Sequence, residues 1–115
     1  MADSRSTASG HKAPAIGLGE FQRRIEAIYF RKDDARGLAR TWMWFSEEVG
    51  ELARALRRGD DANLEEEFAD VLAWLSTLAS MQGVDLEAAV ERKYGQGCPY
   101  CHATPCACAE KKPAG

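Results

Sequence analysis

Apolar side chains recur at steps of three and four from Leu18 onward, and Phe21, Ile25, Ile28 and Tyr29 form one stripe that predicts an amphipathic helix over Leu18–Lys32. The run Asp33-Asp34-Ala35-Arg36-Gly37 is expected to break it. A second stripe of Trp42, Phe45, Val49, Leu52, Ala53 and Leu56 predicts a helix from about Leu38 to Arg58, closed by Gly59 with Arg57 and Arg58 at its negative end. Asn63 is the expected N-cap of a third helix carrying Leu64, Phe68, Val71, Leu72, Leu75 and Leu78 as far as Gly83. Asp85 caps a short fourth helix, with Leu86, Ala89 and Val90 on one side, that ends near Tyr94 and Gly95. No segment carries the alternation of a strand, and no internal repeat is found.

The short connection between the second and third helices makes them antiparallel neighbours. The expected fold is therefore all-α, a compact antiparallel four-helix bundle. Residues 1–17 hold too few large apolar side chains to offset chain-ordering entropy and are expected to form a disordered tail. The helical domain then spans residues 18–95, and residues 96–115 form a Cys-rich tail.

A length of 115 residues suits one domain and is too short for a barrel enzyme or a full dinucleotide fold. A formal net charge of −3 gives no global field for a polyanion, so neither nucleic acid nor a membrane is an expected partner. The N-terminal stretch resembles neither a signal peptide nor an anchor, which points to the cytoplasm. All four cysteines fall between positions 98 and 108. That clustering argues against a disulfide framework spread through the fold and for a local metal knuckle.

Two carboxylate groups carry the chemistry. Glu47, Glu48 and Glu51 share an arc of roughly 100° on the second helix, with Trp44 on the same arc, and Glu67, Asp70 and Trp74 share one edge of the third. Antiparallel packing lets the two acidic edges face each other. Like charges at close range raise one another's pKa and destabilise the fold, whereas a divalent cation reverses the sign. Oxygen donors without histidine favour Mg²⁺ or Mn²⁺ over zinc. Any one of these glutamates, taken alone, also suits a solvated helix face, and Glu65, Glu66 and Glu87 are read that way.

The pattern Glu47-Glu48-x-x-Glu51 followed by Glu67-x-x-Asp70, with the flanking runs Glu48-Val-Gly-Glu-Leu52 and Glu67-Phe-Ala-Asp-Val-Leu72, resembles the EExxE…ExxD signature of the MazG-like nucleotide pyrophosphohydrolases. These belong to the all-α NTP pyrophosphatases. The resemblance covers roughly Leu18–Tyr94 and implies a hydrolase that cuts a nucleoside triphosphate between the α- and β-phosphates, giving a monophosphate and pyrophosphate, in nucleotide-pool cleaning. It implies Mg²⁺ held by Glu48, Glu51, Glu67 and Asp70, with Glu47 orienting the attacking water or a neighbouring group. Lys93 matches a phosphate-contacting lysine of the family, with Tyr94 beside it; a solvated lysine at a helix C-terminus is the alternative. Trp44 is a candidate to stack on a base, although tryptophans at helical spacing commonly belong to a core. The resemblance also implies a homodimer or homotetramer, in keeping with a thin core.

Cys98-Pro-Tyr-Cys101 followed by Cys106-Ala-Cys108 gives C-x2-C-x4-C-x-C, a set that can close a structural Zn²⁺ site, with His102 as a possible substitute ligand. A redox dithiol would lack its usual βα context. Two alternatives to the leading function remain: a phosphoribosyl-ATP pyrophosphohydrolase, and a non-catalytic helical module whose zinc knuckle binds a protein or nucleic acid.

Overall fold

The computed structural model describes residues 15–59 and 61–109. Four helices follow in order: α1 (Leu18–Arg36), α2 (Leu38–Arg58), α3 (Asp61–Met81) and α4 (Leu86–Tyr94). The described residues contain no strand, so the chain is all-α. Gly59, at φ 73°, takes the left-handed turn that ends α2, and its N–H bonds Ala55 O at 2.9 Å. The chain then reverses, and α2 packs along α3 as an antiparallel hairpin. α1 lies against α3, and α4 rests on α1.

Two element boundaries differ from the pattern reading. α1 continues through Asp33–Arg36 to Gly37, because Asp33 turns inward instead of facing solvent. Its carboxylate accepts from Arg36 Nη1 at 2.8 Å and from Thr77 Oγ1 of α3 at 3.2 Å, so the charge is compensated within the packing. Asn63 is not the cap of α3 but part of its first turn, since the helix already begins at Asp61. Asp85 caps α4 as expected, accepting from Ala88 N at 3.2 Å. Residues 1–14 of the tail expected over residues 1–17 lie outside the described residues, as do residues 110–115 of the C-terminal segment.

The interior of the single chain is small and polar. Ile25 and Ala55 are the only buried apolar side chains among the described residues, whereas Gln22, Asp33, Thr41, Ser76 and Thr77 are buried too. Gln22 uses its whole amide: Nε2 donates to Ser80 Oγ at 3.1 Å and Val84 O at 2.8 Å, and Oε1 accepts from Leu86 N at 2.9 Å. One side chain of α1 thus holds the end of α3, the connecting loop and the start of α4 together, with every polar atom satisfied.

The apolar stripes are only half covered. On α2, Thr41, Glu48, Leu52 and Ala55 turn toward α3, while Trp42, Val49 and Leu56, each seven residues apart, stay exposed. On α3, Phe68, Leu72 and Leu75 do the same. Helical geometry puts both exposed arcs on the same side of the antiparallel hairpin, opposite the side where α1 packs.

Candidate metal centre

Glu48 on α2 and Glu67 and Asp70 on α3 face one groove, and one carboxylate oxygen from each lies within 4.8 Å of the others. At such separations each ionised pair repels by roughly 1 to 3 kcal/mol, depending on solvent access. The consequence shows at Glu48, whose pKa is raised first by burial and then by Asp70, Glu67, Glu51 and Glu47. Glu67 Oε1 is buried with no hydrogen-bond partner among the described residues. A buried carboxylate oxygen left without a donor is costly unless a cation or proton completes it. Three oxygen donors with an orphaned lone pair suit a hard divalent cation.

Glu51 lies outside this tight group, half-exposed, and accepts from Arg54 Nη1 at 3.2 Å. Glu47 is exposed on the same helix. Trp44 and Trp74 stack on each other across α2 and α3, with ring centroids 6.5 Å apart and planes at 16°. The Arg36 guanidinium sits 4.9 Å from the centre of the Trp74 ring. Lys93 and Tyr94 lie on α4, the helix that packs on α1, where the lysine Nζ is 5.6 Å from the centre of the tyrosine ring.

Beside Asp70 opens a cavity of about 270 Å³, lined also by Tyr29, Lys32, Arg36, Trp74 and Thr77. It places two cations next to the acidic groove. The sequence pattern does not single out Lys32 and Arg36, because both sit beside an acidic run that reads as a helix terminus. The one available signal is spacing: Tyr29, Lys32, Asp33 and Arg36 recur at steps of three and four on α1.

The cysteine tail forms a second, separate cluster. One sulfur from each of Cys98, Cys101, Cys106 and Cys108 lies within 4.8 Å of the others, and His102 stays outside. Backbone N–H groups of Cys101 and Tyr100 hold the Cys98 thiol down to about 6. Those of Ala107 and Ala103 lower Cys101, while a hydrogen bond with Cys106 and burial push Cys108 up to about 12.

A helical hairpin that gathers carboxylates from both arms into one groove defines an all-α protein built around an acidic groove. A family model, the MazG nucleotide pyrophosphohydrolase domain, matches residues 36–102, more than half of the chain, and the chain belongs to that family. No curated protein matches it. The family acts on nucleotide pyrophosphate bonds as a hydrolase.

Proposed function

We propose that this protein is a Mg²⁺- or Mn²⁺-dependent nucleoside triphosphate pyrophosphohydrolase that cleaves between the α- and β-phosphates in nucleotide-pool cleaning. The observation that carries this is the unpartnered, buried Glu67 Oε1 in the same carboxylate group as Glu48 and Asp70. A silent scaffold has no use for that cost. Family membership supplies the reaction class.

Glu48, Glu67 and Asp70 are assigned as metal ligands, with Glu51 as a fourth that exchanges Arg54 for the cation. Bound there, the metal supplies neutralisation of phosphate oxygens and a water of lowered pKa. Glu47 is assigned to orient that water. Lys93 and Tyr94 are assigned to the phosphates distal to attack, and the paired Trp44 and Trp74 offer an aromatic surface for the base. Lys32 and Arg36 add positive charge beside the groove, where a polyphosphate needs it.

The half-covered face of α2 and α3 is assigned to a second copy of the chain, giving a homodimer or a homotetramer. Isolated small domains do not keep Trp42, Val49, Leu56, Phe68, Leu72 and Leu75 together in water. The four thiolates of the tail are assigned to Zn²⁺, which soft donors select over magnesium. No helix among the described residues is long and apolar enough to cross a membrane. A cytoplasmic location belongs to the same proposal.

Pyrophosphate release from a panel of standard and modified ribo- and deoxyribonucleoside triphosphates and phosphoribosyl-ATP, with Mg²⁺ and with chelator, tests the assignment. Metal-dependent release strongest with one of the triphosphates is expected. A dominant rate with phosphoribosyl-ATP would replace the pool-cleaning role, and no release from any substrate would leave a binding module.

A further inference from the structure

The cysteine cluster is organised beyond what four nearby thiols require. Cys98 Sγ and Cys108 Sγ are 3.8 Å apart, far longer than a disulfide. A tetrahedral zinc with Zn–S bonds of about 2.3 Å has sulfur–sulfur edges of about 3.8 Å. Three of the four sulfurs also accept a backbone N–H: Cys98 from Tyr100 at 3.4 Å, Cys101 from Ala107 at 3.2 Å and Cys106 from Cys108 at 3.3 Å. Such donors stabilise negative charge on sulfur and fix the direction of each side chain.

The backbone around the sulfurs folds back on itself without forming a helix or a strand. Cys98 N donates to Ala103 O at 3.1 Å, His102 N donates to Cys98 O at 2.6 Å, and Gly97 N reaches back to Tyr94 O, the last residue of α4, at 3.1 Å. His102 takes φ 61°, a left-handed conformation uncommon for a non-glycine residue and met mostly in tight turns. Side-chain burial does little to hold this loop, since Tyr100, His102, Thr104, Pro105 and Cys106 are all exposed. The family match ends at residue 102, so Cys106 and Cys108 lie beyond it, and half of the ligand set is an addition to the shared domain.

We propose that the four thiolates form a closed, structural zinc site that itself folds residues 97–108 and fastens them to the C-terminal end of α4. The proposal rests on the assignment of zinc to the cysteines and is independent of the pyrophosphohydrolase assignment. Four protein ligands leave no open position for substrate or water, so the metal acts by cross-linking the chain. It couples Cys98 and Cys101, next to α4, to Cys106 and Cys108 at the far end of the loop. Histidine is not needed: its ring lies outside the sulfur cluster.

The test uses the full-length protein, purified under reducing conditions without added metal. Elemental analysis is expected to find about one zinc per chain. A thiol reagent should label the four cysteines slowly until an organomercurial displaces the metal, and cobalt exchanged into the site should give the visible bands of a tetrahedral thiolate centre. Amide hydrogen exchange over residues 97–108 should rise by at least an order of magnitude on metal removal and leave α2 and α3 unchanged. Cys106→Ser and Cys101→Ser should each reproduce both the zinc loss and the faster exchange, while Glu67→Gln keeps its zinc. Bound zinc with unchanged exchange after its removal would overturn the folding role and leave the metal assignment standing. Absence of zinc, with reactive thiols, paired disulfides or iron in its place, would overturn both. Nucleotide hydrolysis is not a readout of this proposal, which stands or falls on zinc content and exchange.

Discussion

At the scale of single residues, Glu48 and Glu67 report the same unmet demand in two ways. Burial and four neighbouring carboxylates raise the Glu48 pKa, and Glu67 holds a buried oxygen without a donor. The sign of the pH effect follows. A carboxyl whose folded pKa lies above its unfolded one favours the fold while protonated, and that contribution fades as pH rises through the folded value. The metal-free protein is therefore expected to gain stability from Glu48 as pH falls from neutrality toward the ordinary glutamate range. Thermal or denaturant midpoints measured in chelator across that window check this, and Glu48→Gln should flatten the dependence. Millimolar Mg²⁺ should raise the midpoint at neutral pH in the wild type more than in the variant. These residues were legible in the sequence because a helix repeats every three to four positions, so Glu48, Glu67 and Asp70 fall beside the stripes that bring α2 and α3 together. The orphaned oxygen was not legible, since it depends on which of two carboxylate atoms is covered.

At the scale of elements, the end of α1 shows where pattern reading fails. Asp33-Asp34-Ala35-Arg36 has the composition of a solvated terminus, yet Asp33 is buried and held by Arg36 and by Thr77 on α3. Its second partner is 44 residues away, a separation that no local pattern can register. The four helices and the α2–α3 hairpin were readable because periodicity and a glycine stop are local signals; the extension of α1 was not, because a tertiary contact decides it. Asp33→Ala should cost on the order of 2–3 kcal/mol, since it strips Arg36 of its carboxylate and Thr77 of its acceptor. Thr77→Val, which leaves the Arg36 pair intact, should cost about 1 kcal/mol. Denaturant unfolding at neutral pH separates the two, and equal losses would contradict the division of roles. Arg36 also lies over the Trp74 ring, so Asp33→Ala is expected to loosen the cavity beside Asp70 as well.

At the scale of the whole molecule, the described residues bury few apolar side chains, Ile25 and Ala55, and the exposed α2–α3 face is proposed to meet a second copy. The chain's interior includes Gln22, Asp33, Thr41, Ser76 and Thr77, whereas the aromatic and aliphatic residues of the α2–α3 face remain in contact with water. Sedimentation at micromolar concentration should show a dimer or a larger symmetric assembly. Leu72→Asp, placed on the exposed arc away from the carboxylates, should shift it to monomer with a lower unfolding midpoint. A folded wild-type monomer would contradict the assignment of that face. On the proposed assignment the carboxylate groove and the cysteine cluster are two candidate metal centres of opposite character, one of hard oxygen donors and one of soft sulfur donors. The central claim concerns the first of them, and its most direct test compares pyrophosphate release by the wild type and by Glu67→Gln at saturating Mg²⁺ with the best triphosphate of the panel. Because a catalytic metal contributes several kcal/mol of transition-state stabilisation, the variant is expected to lose on the order of a hundredfold or more in kcat/KM with its helical circular dichroism unchanged. A variant that folds normally and hydrolyses at the wild-type rate would show that the Glu48, Glu67 and Asp70 group does not hold the catalytic metal.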